Sequence, residues 1–226
     1  MKIIFAVFLI AFCSFNLVAQ SNVTKEDYVV YAGVFESIYA EGFKRAEYKT
    51  SFVVLDKTIE PNFISLEKLL INESILHYLY KTNSSSELVP ATFEVLLNNF
   101  RENNKQSAKI EKQFPIEYEY KIITKNEIDQ LLATGEKEYQ EILKTRSNPF
   151  FGKKLGFVWK PFHKKYQNSS GYYNLSKVGY SANKQLALVY TNLVGGDHGS
   201  STFYILEKVR DKWEVRKNFG SGFSLD

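Results

Sequence analysis

The sequence predicts an α+β protein, with helices in the N-terminal half packed on an antiparallel sheet whose C-terminal part is a meander of about four strands. Early segments carry apolar residues at helical spacing, and late segments alternate at strand spacing with turn residues at each junction. Two strand-like segments lie among the helices, which argues for α+β over separate layers of one type. No fixed-period repeat and no Gly- or Pro-rich linker divides residues 21–226, which therefore read as a single domain.

Each element follows from its residues. Residues 1–20 begin with one charge at Lys2, continue through an apolar run from Ile3 to Phe12 and end on a softer tail, which reads as a secretory signal peptide cleaved near Ala19 or Gln20. Ser14 and Asn16 interrupt the run too early for a membrane span. Cys13 is preceded by bulky Phe12, whereas a lipid-modified cysteine needs a small residue there. Thr24 and the acidic Glu26 and Asp27 open a helix that ends near Gly42. Residues 51–59, rich in β-branched side chains, predict a strand that Pro61 ends. A second helix is expected over residues 66–80, followed by a polar loop at residues 81–87. Pro90 suits the first turn of a third helix, whose stripe is Phe93, Leu96, Leu97 and Phe100. Residues 115–124 alternate as a half-buried strand, and Thr124 with Glu127 forms a capping box for a further helix carrying Ile128, Leu131 and Leu132. From Gly171 onward only strands are expected: residues 172–181, 185–194, 201–209 and 212–219, with SANK, GGDHG and RD as turns.

Composition limits the chemistry. The sole cysteine lies in the signal segment, so the mature chain offers neither a disulfide framework nor a thiolate nucleophile or zinc site. Charge is uneven: residues 21–150 hold 16 Lys and Arg against 20 Asp and Glu, while residues 151–226 hold 12 against 5. The basic C-terminal third suggests an anionic partner.

Two stretches invite a functional reading. The first is LVGGDHGSS, residues 193–201, where Asp197 and His198 stand among glycines and serines. Between two strands it reads as a turn, with glycines for positive φ and Asp as a turn former. Adjacent Asp197 and His198 point apart on extended backbone, which is a poor start for a catalytic triad. A phosphate loop would lead into a helix, whereas a strand follows here. The Gly-Gly-Asp triplet is shared with the signature hairpin of bacterial diguanylate cyclases, but His and Gly follow where those proteins carry Glu and Phe. His77 and His163 are remote in sequence from His198 and no close ligand spacing joins them, so no metal site and no cofactor are expected.

The second stretch, residues 149–173, interleaves lysines with rings. Trp159, Lys160, His163, Lys164, Lys165 and Tyr166 are its candidate ligand-binding residues, suited to an anionic glycan through stacking and charge neutralisation. Trp159, Phe162 and Tyr166 are also spaced as the buried face of a short helix whose lysines are solvated, and the spacing favours that structural role.

The same region carries a resemblance. Trp159, Phe162, Tyr166, Ser170-Gly171, LSKVGYS at 175–181, ALVYTN at 187–192 and FYILEKVRDKWEV at 203–215 resemble a broad group of exported bacterial proteins. That group shares a W-x-x-F-x-x-x-Y segment, an S-R-V-G-F-like strand, an A-L-V-Y strand and an L-x-K strand turning into K-W. The likeness covers about residues 155–219 and implies a shared fold unit without an activity. Lys177 stands where Arg is usual, and the end reads GSGFSLD in place of a Trp-Ser finish.

Three function classes follow. The leading expectation is a non-catalytic exported protein, periplasmic or extracellular, that binds an anionic glycan or another envelope component. No nucleic-acid partner and no transmembrane segment in the mature chain are expected. An envelope hydrolase using Asp197 and His198, or Glu117 and Glu119, is the second. A structural subunit of a secreted assembly, docking through edge strands, is the third.

Overall fold

The structure, a computed structural model, describes residues 22–42, 51–59, 90–145, 154–196 and 198–224. The expected signal segment, the helix at residues 66–80, His77 and Asp197 lie outside the described residues. In chain order the elements are α1 (Lys25–Gly42), β1 (Ser51–Leu55), α2 (Pro90–Asn103), β2 (Glu119–Ile123), α3 (Lys125–Thr145) and α4 (Lys154–Lys165). There follow β3 (Tyr172–Leu175), β4 (Gly179–Tyr180), β5 (Leu186–Gly195), β6 (His198–Val209) and β7 (Lys212–Ser224). This is the α+β arrangement that the sequence predicts, and β5, β6 and β7 form its C-terminal meander.

The strand expected over 51–59 ends at Leu55, and the sheet departs from expectation in being mixed. Its order is β2-β1-β3-β5-β6-β7, with β4 pairing to β5. β1 runs parallel to both β2 and β3, and the antiparallel pairs begin at β3–β5. All five residues of β1 are buried, as befits a central strand covered on both faces. The expected strand at 172–181 divides into β3 and β4, both paired to β5. At the break, the Ser176 hydroxyl oxygen accepts from the Tyr190 amide at 2.9 Å.

Helices cover both faces. On one, α1 contributes Tyr28, Val30, Tyr31, Val34 and Phe35 to a core shared with Phe52, Val54, Tyr173, Leu175, Ala187, Val189, Tyr204, Leu206 and Trp213. Gly33 permits close approach there, because a Cβ at that position would stand 2.4 Å from the Trp213 carbonyl oxygen. On the opposite face α2 packs Phe93, Leu96 and Phe100 on Leu188, Tyr190, Phe203 and Ile205. Beside it, α3 and α4 bring Ile128, Trp159 and Phe162 onto Val53, Leu55 and Ile123.

Local chemistry explains the element ends. Thr24 and Asp27 cap α1 reciprocally: the Asp27 amide donates to Thr24 Oγ1 at 3.2 Å, and the Thr24 amide donates to Asp27 Oδ2 at 2.7 Å. The Glu127 amide likewise donates to Thr24's counterpart, Thr124, at 3.1 Å, although the Glu127 carboxylate is engaged elsewhere. The RD turn joins paired Val209 and Lys212 with both Arg210 and Asp211 in the left-handed region, at φ 48° and 68°.

Candidate functional site

α3 and α4 form an antiparallel pair whose contacts run in opposite order along the two helices. Lys154 pairs with Glu136 at 3.2 Å, and Lys165 pairs with Glu127. Between these ends a Cβ at Gly135 would lie only 2.1 Å from the Val158 carbonyl oxygen, so the backbones cross without an intervening side chain. Glu127 also accepts from the Tyr166 hydroxyl at 2.5 Å. Hydrogen bonds from Lys165 and then Tyr166 hold the Glu127 carboxyl below the usual carboxylate range, against a smaller burial effect. Burial, reinforced by the Glu127 carboxylate, raises the Tyr166 phenol.

The six candidate residues, five in α4 and Tyr166 just after it, therefore divide. Trp159 is buried at 6% exposure, beside the fully buried Phe162, and Tyr166 is half-buried. Lys160, His163 and Lys164 are exposed at positions i, i+3 and i+4, which places them in one stripe on the helix surface. Among the described residues Lys160 and Lys164 have no ion-pair partner, whereas Lys165 is held by Glu127. The basic residues occupy the last turns of α4, where positive charge complements the helix dipole.

The two stretches singled out from the sequence meet at one corner. Trp159 stacks on Tyr172 with ring centroids 6.0 Å apart and planes at 13°. Its Cγ lies 3.4 Å from where a Cβ at Gly196 would stand, so the glycine-rich turn rests on the indole. Gly195 and His198 are register partners, which leaves a two-residue turn between them, and Gly196 takes φ +55°. The segment is thus a tight β5–β6 turn, as its glycines predict. His198 is half-buried, with Nε2 2.9 Å from a Cβ position on Gly195.

Glu117 and Glu119 are not brought to this corner. Glu119 is exposed at the edge of the sheet and pairs with Lys121 at 3.2 Å, and Glu117 is exposed in the segment before β2. Among the described residues no group of three or more His, Cys, Asp or Glu is placed to hold a metal ion, and no helix is long and apolar enough to cross a membrane.

A buried polar cluster between α1, α2 and β4 went unread in the sequence. Asp27, at 7% exposure, accepts from the Tyr180 hydroxyl at 2.7 Å, and the Tyr31 hydroxyl donates to the Ser176 carbonyl at 2.8 Å. Lys177 is 6% exposed; burial lowers its ammonium and nearby Asp27 opposes the shift. Asn104 grips the Lys177 backbone from both sides, accepting from its amide at 2.7 Å and donating to its carbonyl at 3.0 Å. Asn103 and Asn99 donate to the carbonyls of Val178 and Tyr180 at 2.7 and 2.8 Å. Side-chain amides thus take the place of a neighbouring strand along 177–180, and these contacts lock α2 to β4. The run of asparagines after Phe100 was the available signal, and it reads from sequence only as a helix exit.

Comparison of the chain with known protein families, with curated proteins and with solved structures found no match.

Proposed function

We propose that the protein is an exported, non-catalytic binding domain whose α4 surface holds an acidic polymer of the cell envelope. The observation that carries this reading is the stripe of Lys160, His163 and Lys164, exposed on a helix whose opposite side is fixed by Trp159 and Phe162. A rigid row of cations meets spaced negative charges without first paying for ordering its backbone. The excess of basic residues over residues 151–226 supports the same partner class. Export rests on the character of residues 1–20, and is read by the N-terminus of protein recovered outside the cytoplasm, expected at or beside Ser21.

The hydrolase reading draws less support. It needs an acid and a base converging on one point, and Glu119 is already paired with Lys121 in solvent. The test of the binding reading is retention on immobilised polygalacturonate across a salt series. Affinity is expected to fall steeply with ionic strength and to drop at least about tenfold in the K160E/K164E double variant. Retention insensitive to both salt and charge reversal refutes it.

A further inference from the structure

The strand register places a polar row where the sheet otherwise faces its helices. Asn174 pairs with Asn192, and Asn192 with Ser201, so three polar residues cross three strands in line. Side chains two residues apart share a face. Val194 packs with the α3/α4 cluster, and Tyr190 and Phe203 pack with the α2 cluster, so Asn192 and Ser201 lie on that same face, between the two clusters. The row on one side is Tyr172, Val194 and Gly199; the row on the other is Tyr190, Phe203 and Phe219. A sheet face built only for core packing has no reason to interrupt apolar rows with two amides and a hydroxyl.

Burial gives the row a direction. Ile59 packs against both helix clusters and donates its amide to the Leu175 carbonyl at 2.8 Å, which closes the β3 end. Asn174, at 7% exposure, sits at that end, while Asn192 and Ser201 are half-buried. The row therefore opens toward β6. Its internal hydrogen bonds use little of its capacity: Asn174 Nδ2 donates to the Asn192 carbonyl at 3.4 Å, and the Tyr190 hydroxyl donates to Ser201 Oγ at 3.0 Å. Neither the row nor its two flanks contains a charged residue.

We propose that this row floors a binding trough for an uncharged saccharide. Amides and hydroxyls offer donors and acceptors together, which matches the hydroxyls of a sugar and suits neither a phosphate nor a carboxylate. Half-exposed Tyr172, backed by the stacked Trp159, supplies a ring at the trough wall for the apolar face of the sugar. The site is separate from the Lys160–Lys164 stripe and stands without it.

The test titrates the full chain, at about 0.5 M NaCl to suppress charge effects, with tetrasaccharides of β-1,4-glucose, β-1,4-N-acetylglucosamine, α-1,4-glucose and β-1,4-xylose. At least one is expected to shift the side-chain amide NMR signals of Asn174 and Asn192. Asn192→Leu and Ser201→Ala should each weaken that binding, the former by about tenfold or more; K160E/K164E should stay within about twofold of the parent. The proposal is overturned if no tetrasaccharide moves those signals, or if Asn192→Leu binds as well as the parent. It is equally overturned if Asn192→Leu raises the melting temperature while the parent binds none of the four, because the row is then interior packing.

Discussion

Two glycines in the α3–α4 pair allow the packing to be tested with one chemical change made twice. Gly135 lies within α3 and Gly156 in the first turns of α4, and replacing a helical Gly by Ala gains up to about 1 kcal/mol of helix propensity where there is room. At Gly156 nothing stands within 4 Å of the added methyl, so Gly156→Ala should stabilise by up to that amount. At Gly135 the methyl would sit 2.1 Å from the Val158 carbonyl oxygen and 2.7 Å from its carbonyl carbon, both backbone atoms. A rotamer change cannot relieve that overlap, so the helices must part. Overpacking of this kind costs about 1–3 kcal/mol, and the rigid obstacle puts the cost at the upper end. After the propensity gain, Gly135→Ala should lose about 1–2 kcal/mol, which leaves the two variants about 2–3 kcal/mol apart. The assay is urea denaturation with unchanged slope, supported by a melting-temperature separation of roughly 5–10 °C for a domain of this size. Equal stability of the two variants, or a more stable Gly135→Ala, would refute the close crossing of α3 and α4.

Two pH responses follow from buried groups. Burial raises the phenols of Tyr31, Tyr173 and Tyr180, and Asp27 adds to the shift at Tyr31 and Tyr180. Unfolded tyrosines ionise near pH 10 while these stay protonated, so their stabilisation is complete below about pH 10 and lost as pH rises further. Tyr180→Phe should flatten part of that alkaline decline in denaturation midpoint and cost about 1.5–3 kcal/mol at neutral pH through the lost bond to Asp27. Glu127 behaves in the opposite sense: its depressed carboxyl contributes stability above the unfolded value near pH 4.3, and that share is lost as pH falls through the folded value. Glu127→Gln should remove this acid-side slope, which lies below the unfolded value of about pH 4.3, with a neutral-pH cost of only about 1 kcal/mol because the pair is partly exposed. A slope unchanged by the substitution would show that the Lys165 and Tyr166 contacts are not held in solution.

Legibility in the sequence followed the range of the interaction. Thr24, Pro90 and Thr124 mark helix starts through contacts within one turn, and α1, α2 and α3 begin where those residues place them. The paired Arg210 and Asp211 announce their turn for the same reason. The parallel placement of β1 has no local signature, since its neighbours β2 and β3 are far along the chain; its apolar run Phe52–Leu55 was the one hint that both faces are covered. Residues 172–181 look like one strand because no Gly or Pro stands between Tyr172 and Val178, and tertiary bonds from Asn103 and Asn104 mark the break. The aromatic spacing of α4 correctly separated buried Trp159 and Phe162 from exposed Lys160 and Lys164. The row of Asn174, Asn192 and Ser201 could not be read in advance, because it exists only once the register of three strands is set.

The position of β1 and α1 also fixes the order in which the chain can complete itself. Synthesis delivers α1 and β1 first, yet β1 is interior to the sheet and β3, one of its flanks, belongs to the last third of the sequence. The apolar stripe of α1 waits longer still, because Gly33 docks on Trp213 of the final strand. Joining elements so distant carries a large loop-closure cost and slows folding relative to a protein of local contacts. The nascent chain must therefore carry β1 with an open edge until β3 emerges and the sticky face of α1 until β7 does, and its vulnerability to aggregation is concentrated in that interval.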